Sequence, residues 1–127
     1  MALEYERDDE RRRIIVRFAG PLTADEAARV ADRNHREQVW GYAIVYDLSR
    51  VTGTPNRDEV QRIADHVQQR AERRPYGPVA IIAPNATVFA LARMYAAFAG
   101  PGVPLNVFRN AADAERWLDT VVINAHE

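Results

Sequence analysis

Apolar residues along the chain change period several times, and each change predicts a new element. Leu3 to Arg7 alternates as a short strand, and residues 12–19 alternate again with Ile14, Val16 and Phe18 on one face. With a polar connection between them, the two strands predict an antiparallel hairpin. Residues 8–13 hold three arginines after three acids, which predicts a solvated hairpin tip rather than a nucleic-acid contact. Gly20 and Pro21 end the second strand. Thr23 and Glu26 then have the spacing of a capping box, opening a helix to about Gln38. Ala27, Val30, Ala31 and Asn34 recur on its inner face, and Gly41 stops it.

Residues 43–48 are almost unbroken apolar, the pattern of a central strand buried on both faces and parallel to a neighbour. The strand is expected to end on Asp47 and Leu48, followed by a turn carrying Gly53 and Pro55. Asn56 and Glu59 form a second capping-box pattern, with Thr54 as the other candidate cap. The helix after it places Val60, Ile63, Ala64, Val67 and Ala71 on one stripe. Pro75, Gly77 and Pro78 stop this helix. Residues 79–83 form another buried strand, and Pro84 and Asn85 lead into a third helix over 86–99. Residues 105–108 make a last short strand, after which Asn110 caps a helix with Ala114, Trp117, Leu118 and Val121 inward. The order β-β-α-β-α-β-α-β-α predicts an α/β single-domain mixed β-sheet with right-handed crossovers. The domain is placed at 1–123, and 124–127 reads as a frayed tail.

Composition narrows the classes of function. The chain has 127 residues, 47% apolar and 28% charged, so it can bury a core as one ordinary domain. A formal net charge of −1 leaves no electrostatic footprint for nucleic acid. No cysteine is present, which excludes disulfides and thiolate chemistry. No apolar stretch of signal-peptide type follows Met1, and the longest uncharged stretch, 75–92, is broken by Gly77, Pro78 and Pro84. The expectation is a cytoplasmic protein with no membrane insertion.

The strongest candidate site is the rim where two strands end and two helices begin. It would gather Asp47, Ser49, Thr52, Thr54, Asn56 and Arg57 from one crossover and Asn85 and Thr87 from the next. Helix N-termini offer unpaired N–H groups and partial positive charge, which suits a small anionic ligand. The same side chains could instead serve only their own turns and caps. A second candidate is the third helix, where Val88, Leu91, Tyr95 and Phe98 form an apolar stripe beside another made by Phe89, Ala92, Ala96 and Ala99. Such a helix is covered on two sides or presents an interaction face. The readings, in order, are a homodimer contact, a lipid-like ligand pocket, and the underside of a covering loop. Arg93, its one charge, reads as a surface ion pair or an anion contact.

Catalytic readings are weaker. His35, His66 and His126 lack metal-ligand spacing, so no metal or other cofactor is expected. Ser49, Asp47 and His66 could be drawn as a triad, but no nucleophile elbow surrounds Ser49. Trp40 and Trp117 read as core or boundary aromatics.

The element order, the strand ending Asp47, Leu48, Ser49, and Val51, Thr52 just after it resemble the STAS superfamily of bacterial anti-sigma-factor antagonists. The likeness extends to Gly20 before the first helix and to the strand at 79–83. The ending Val107, Phe108, Arg109, followed by Ala114, Glu115, Arg116, Trp117 and Leu118, resembles its SpoIIAA-like branch. The resemblance implies a STAS-like α/β domain that binds a protein partner or small ligand without chemistry of its own. It also implies a phosphoserine near the start of the second helix. Pro55, Asn56, Arg57, Asp58 and Glu59 stand there without a hydroxyl, so the usual switch is expected to be missing. Thr52 and Thr54 are the remaining acceptors nearby. The alternative is a small-molecule or lipid-like carrier using the apolar third helix.

Overall fold

In the computed structural model, the described residues are 2–39, 41–73, 77–99 and 104–125. They form β1 (Ala2–Asp8), β2 (Arg13–Pro21), α1 (Ala24–Arg36), β3 (Ala43–Gly53), α2 (Arg57–Arg73), β4 (Val79–Ile82), α3 (Ala86–Ala99), β5 (Leu105–Phe108) and α4 (Ala111–Ala125). The order matches the expectation from the hydrophobic pattern. Trp40, His126 and the side chain of His35 lie outside the described residues, as does the end of the expected tail.

The strands form one sheet in the order β1-β2-β3-β4-β5. β1 runs antiparallel to β2, and the other pairings are parallel. Each crossover from β2 to β5 moves one strand in the same direction. Right-handed connections therefore place α1, α2 and α3 on one face of the sheet. Their core contains Ile14, Val16, Phe18, Ile44, Leu48, Ile81, Val30, Val88 and Ala92. α4, which leads to no further strand, covers the opposite face through Ala114 and Leu118 against Ala43, Val45, Ala80 and Ile82.

β3 departs from expectation. It continues through Gly53 instead of ending at Asp47, because β2 also continues to Pro21 and remains paired with it. Ala19 registers with Arg50, Gly20 with Val51 and Pro21 with Gly53, and the Leu22 N–H donates to the Gly53 carbonyl at 2.7 Å. The register shifts between Arg17 and Ala19, so β3 carries an extra residue there. Such a bulge resets side-chain alternation, and Leu48 and Val51, three residues apart, both pack on the α1–α3 core. The outward Ser49, Arg50 and Thr52 made this extension resemble a turn. Pairing with β4 ends at Asp47, opposite Ile82.

The hairpin tip is also corrected. Arg13 is only 4% exposed, since it lies on the sheet face that α4 covers. Its guanidinium pairs with Glu115 and reaches Asp119 at 3.4 Å, while Arg11 meets Glu115 at 3.3 Å. Beside the tip, the Tyr42 hydroxyl donates to Asp9 at 2.6 Å and Arg7 meets the same carboxylate at 2.7 Å. Those two bonds hold the Asp9 carboxyl below its ordinary range.

α1 ends at Arg36, and the turn after it uses positive φ at Gln38 and Gly41. Gly77 lies against that turn. A Cβ there would collide with the carbonyls of Tyr42 and Gly41, so the approach of the two loops requires glycine.

Candidate functional site

The two helix starts at the rim are closed by their own side chains. Asn56 and Glu59 complete a reciprocal capping box. The Glu59 N–H donates to Asn56 Oδ1 at 2.9 Å, and the Asn56 N–H donates to Glu59 Oε1 at 3.3 Å. Asn85 Oδ1 accepts the N–H groups of Thr87 and Val88 at 2.9 and 3.2 Å. Asp47 likewise serves its own segment, accepting the Ser49 N–H at 2.9 Å. The capping and turn reading holds for these three residues.

Asp47 and Thr54, both expected at the rim, lie on different sides of the sheet. Asp47 alternates with Ala43 and Val45, so it lies on the α4 side of the sheet, in register with Arg17 and Ile82. Thr54 instead borders the space between the sheet and the α1–α3 layer. Ser49 and Thr52 are exposed on the β3 extension, and Thr87 is exposed in the first turn of α3. Arg57, the first residue of α2, has its guanidinium 5.9 Å from the centre of the Phe98 ring. The segment from Ser49 to Arg57 forms a polar edge leading into α2.

The apolar stripe of α3 is turned inward. Val88 is buried, Leu91, Tyr95 and Phe98 are half-buried, and α2 packs beside them. Gln68 of α2 donates to the carbonyls of Phe98 and Ala99 at 3.0 and 2.8 Å, tying the two helices together at the end of α3. α2 covers part of the stripe, and Leu91, Tyr95 and Phe98 keep some exposure beside it. Arg93 leans over the Phe89 ring at 6.0 Å, and Arg109 lies 5.0 Å from the same ring.

Val88, Leu91 and Tyr95 line a cavity of about 100 Å³ beneath α2. Phe18, Tyr46, Leu48 and Ile81 form its floor, and Val60, Ile63 and Val67 form the α2 wall. The apolar pattern marked these residues as core; it could not show that they fall short of filling the space. α2 packs chiefly on α1 and α3, and its inward stripe is short, with Val60 and Ala64 fully inside.

A buried polar cluster adjoins the cavity and was legible only in part. Asn34, 1% exposed, accepts the Tyr5 hydroxyl at 2.6 Å, and its amide reaches the Tyr46 hydroxyl at 3.5 Å. Burial, with Glu37 nearby, pushes the Tyr5 phenol up to about 12. The signal in the sequence was an asparagine in the apolar stripe of α1.

The drawn triad is not assembled. His66 Nε2 instead lies 3.0 Å from Asp32 Oδ1, bridging α2 and α1. Among the described residues, no group of three His, Asp or Glu side chains could hold a metal ion. No helix among them is long and apolar enough to cross a membrane.

No protein-family model matches the chain, and no curated protein matches it in sequence. Solved structures do. The anti-sigma factor antagonist SpoIIAA in its unphosphorylated form is 14% identical with a TM-score of 0.55, covering 94% of this chain and 97% of that one. An uncharacterised DUF3478 protein with a SpoIIAA-like fold, from Shewanella loihica PV-4, is 18% identical with a TM-score of 0.57 and 92% coverage of both chains. The chain has the SpoIIAA-like, STAS-type fold expected from its sequence.

Proposed function

We propose that this SpoIIAA-like domain is a non-enzymatic regulatory module of the cytoplasm that captures a protein partner along the edge from Ser49 to Arg57. The observation that carries this reading is the β3 extension. It projects past its pairing with β4 and presents Ser49, Arg50 and Thr52 to solvent, with Thr54 and Arg57 following into α2. Strand edges with open pairing groups are ready templates for another chain. The similarity in fold to an anti-sigma factor antagonist supports a role in binding proteins.

The phosphoserine switch is absent from this reading. The first turn of α2 offers Asn56, Arg57, Asp58 and Glu59, none of which carries a hydroxyl. Any phosphate should map by peptide mass spectrometry to Thr52 or Thr54 and not to residues 55–59.

Ser49→Arg with Thr52→Arg changes two exposed positions that serve neither a cap nor the core. The double variant should keep the wild-type circular dichroism spectrum and lose the proteins that the tagged wild-type chain retains from its source lysate. Equal retention by both forms would reject the edge.

A further inference from the structure

The cavity beneath α2 is walled almost entirely by hydrocarbon. No Arg, Lys, His, Asp or Glu lines it, and its side-chain polar atoms are the hydroxyls of Tyr46, Thr54 and Tyr95. A charged molecule would lose its water there without meeting a counter-charge. An apolar one would replace missing contacts, because a void leaves its lining without partner atoms. Thr54, the one fully exposed lining residue, stands at the edge of the cavity beside the buried Pro55.

Size restricts the ligand further. Apolar cavities of about 150 Å³ stay dry and accept benzene or xenon. At about 100 Å³, this one suits a single ring or a short branched chain, and it is too small for a whole acyl lipid. We propose that the cavity is a binding site for one small, uncharged, largely apolar molecule, placing any hydroxyl or carbonyl near Tyr46 and Tyr95. The site stands whether or not the β3 edge holds a protein partner. It differs in charge preference from the anionic ligand expected at the helix starts.

Methyl-detected NMR of the wild-type protein, titrated separately with benzene, phenol and benzoate, tests this. Benzene and phenol should shift the methyl signals of Leu48, Val60, Ile63 and Val88 in a saturable way and raise the melting temperature. Benzoate, of similar shape but charged, should do neither. Ala92→Leu and Ala27→Leu each fill the cavity from a different helix and should weaken benzene binding by about tenfold or more. Absence of saturable shifts with benzene and phenol up to their solubility would overturn the proposal. So would equal binding of benzoate, or undiminished binding in a folded filled variant.

Discussion

Asn34 shows how one residue can be read and still not understood from sequence. Its place on the apolar stripe of α1 was visible, and its burial followed from that stripe. Its partner was not visible, since Tyr5 is 29 residues away on a different element. A buried amide without a partner costs about 1–3 kcal/mol, so the stripe is tolerable because β1 brings the Tyr5 hydroxyl to its oxygen and β3 brings the Tyr46 hydroxyl to its nitrogen. Burial at that contact, with Glu37 nearby, also makes Tyr5 pH-sensitive. Its folded phenol titrates near 12, above the ordinary 10.0, so folding favours the protonated form. That contribution should be complete below pH 10 and fall as the pH rises through about 12. Carbon-13 NMR of tyrosine Cζ would locate the titration, and urea midpoints across the same range should decline in step. An ordinary Tyr5 titration near 10 would contradict the burial of the phenol.

At the scale of elements, α4 is the helix whose attachment was least legible. Its apolar stripe, Ala114, Trp117, Leu118 and Val121, was evident in the sequence, but the arginine anchoring it belongs to the start of β2. Arg13 seemed to belong to the hairpin tip because its neighbours do, and only pairing with β3 puts it on the covered face. Its Nε lacks a hydrogen-bond partner among the described residues, so the charge depends on Glu115 and Asp119. Buried pairs are asymmetric: replacing the charge by hydrocarbon is often neutral, whereas stranding it is costly. Arg13→Met should therefore stay within about 1 kcal/mol of wild type, while Glu115→Ala with Asp119→Ala should lose about 3 kcal/mol. Urea denaturation of the two variants decides the order, and the reverse order would show that the clamp is not a buried-charge device.

The β3 extension teaches a similar lesson. A strand with one covered face and one wet face, interrupted by a bulge, loses the strict alternation that sequence reading relies on. Leu48 and Val51 have the wrong spacing for a regular strand. The correct reading needed the matching length of β2, which ends on a proline and is easily cut short.

At the scale of the whole molecule, the two faces of the sheet are packed differently. The α4 face is closed by small residues in close contact, with Ala80 and Ala114 both fully buried. The α1–α3 face retains the cavity beside Ala92. Enlarging Ala80 to Leu should cost about 1–3 kcal/mol through overpacking, whereas Ala92→Leu has space to occupy and should cost less or stabilise. Thermal melts of the two variants would show the difference, and equal losses would mean that the α1–α3 face is as full as its opposite.

The sequence by itself determined the element order, the caps at Thr23 and Asn110, the choice of Thr54 or Asn56 and of Asn85 or Thr87 for the other two, and the inward faces of the helices. Those are properties of local geometry, because period and capping act over a few residues. It also determined that the first turn of α2 carries no hydroxyl. The tertiary structure alone decided how far β3 runs, which face receives Asp47 and Arg13, and what covers the third helix. These depend on register between distant strands and on how well three helices fill one layer, and neither is encoded within a window of the chain.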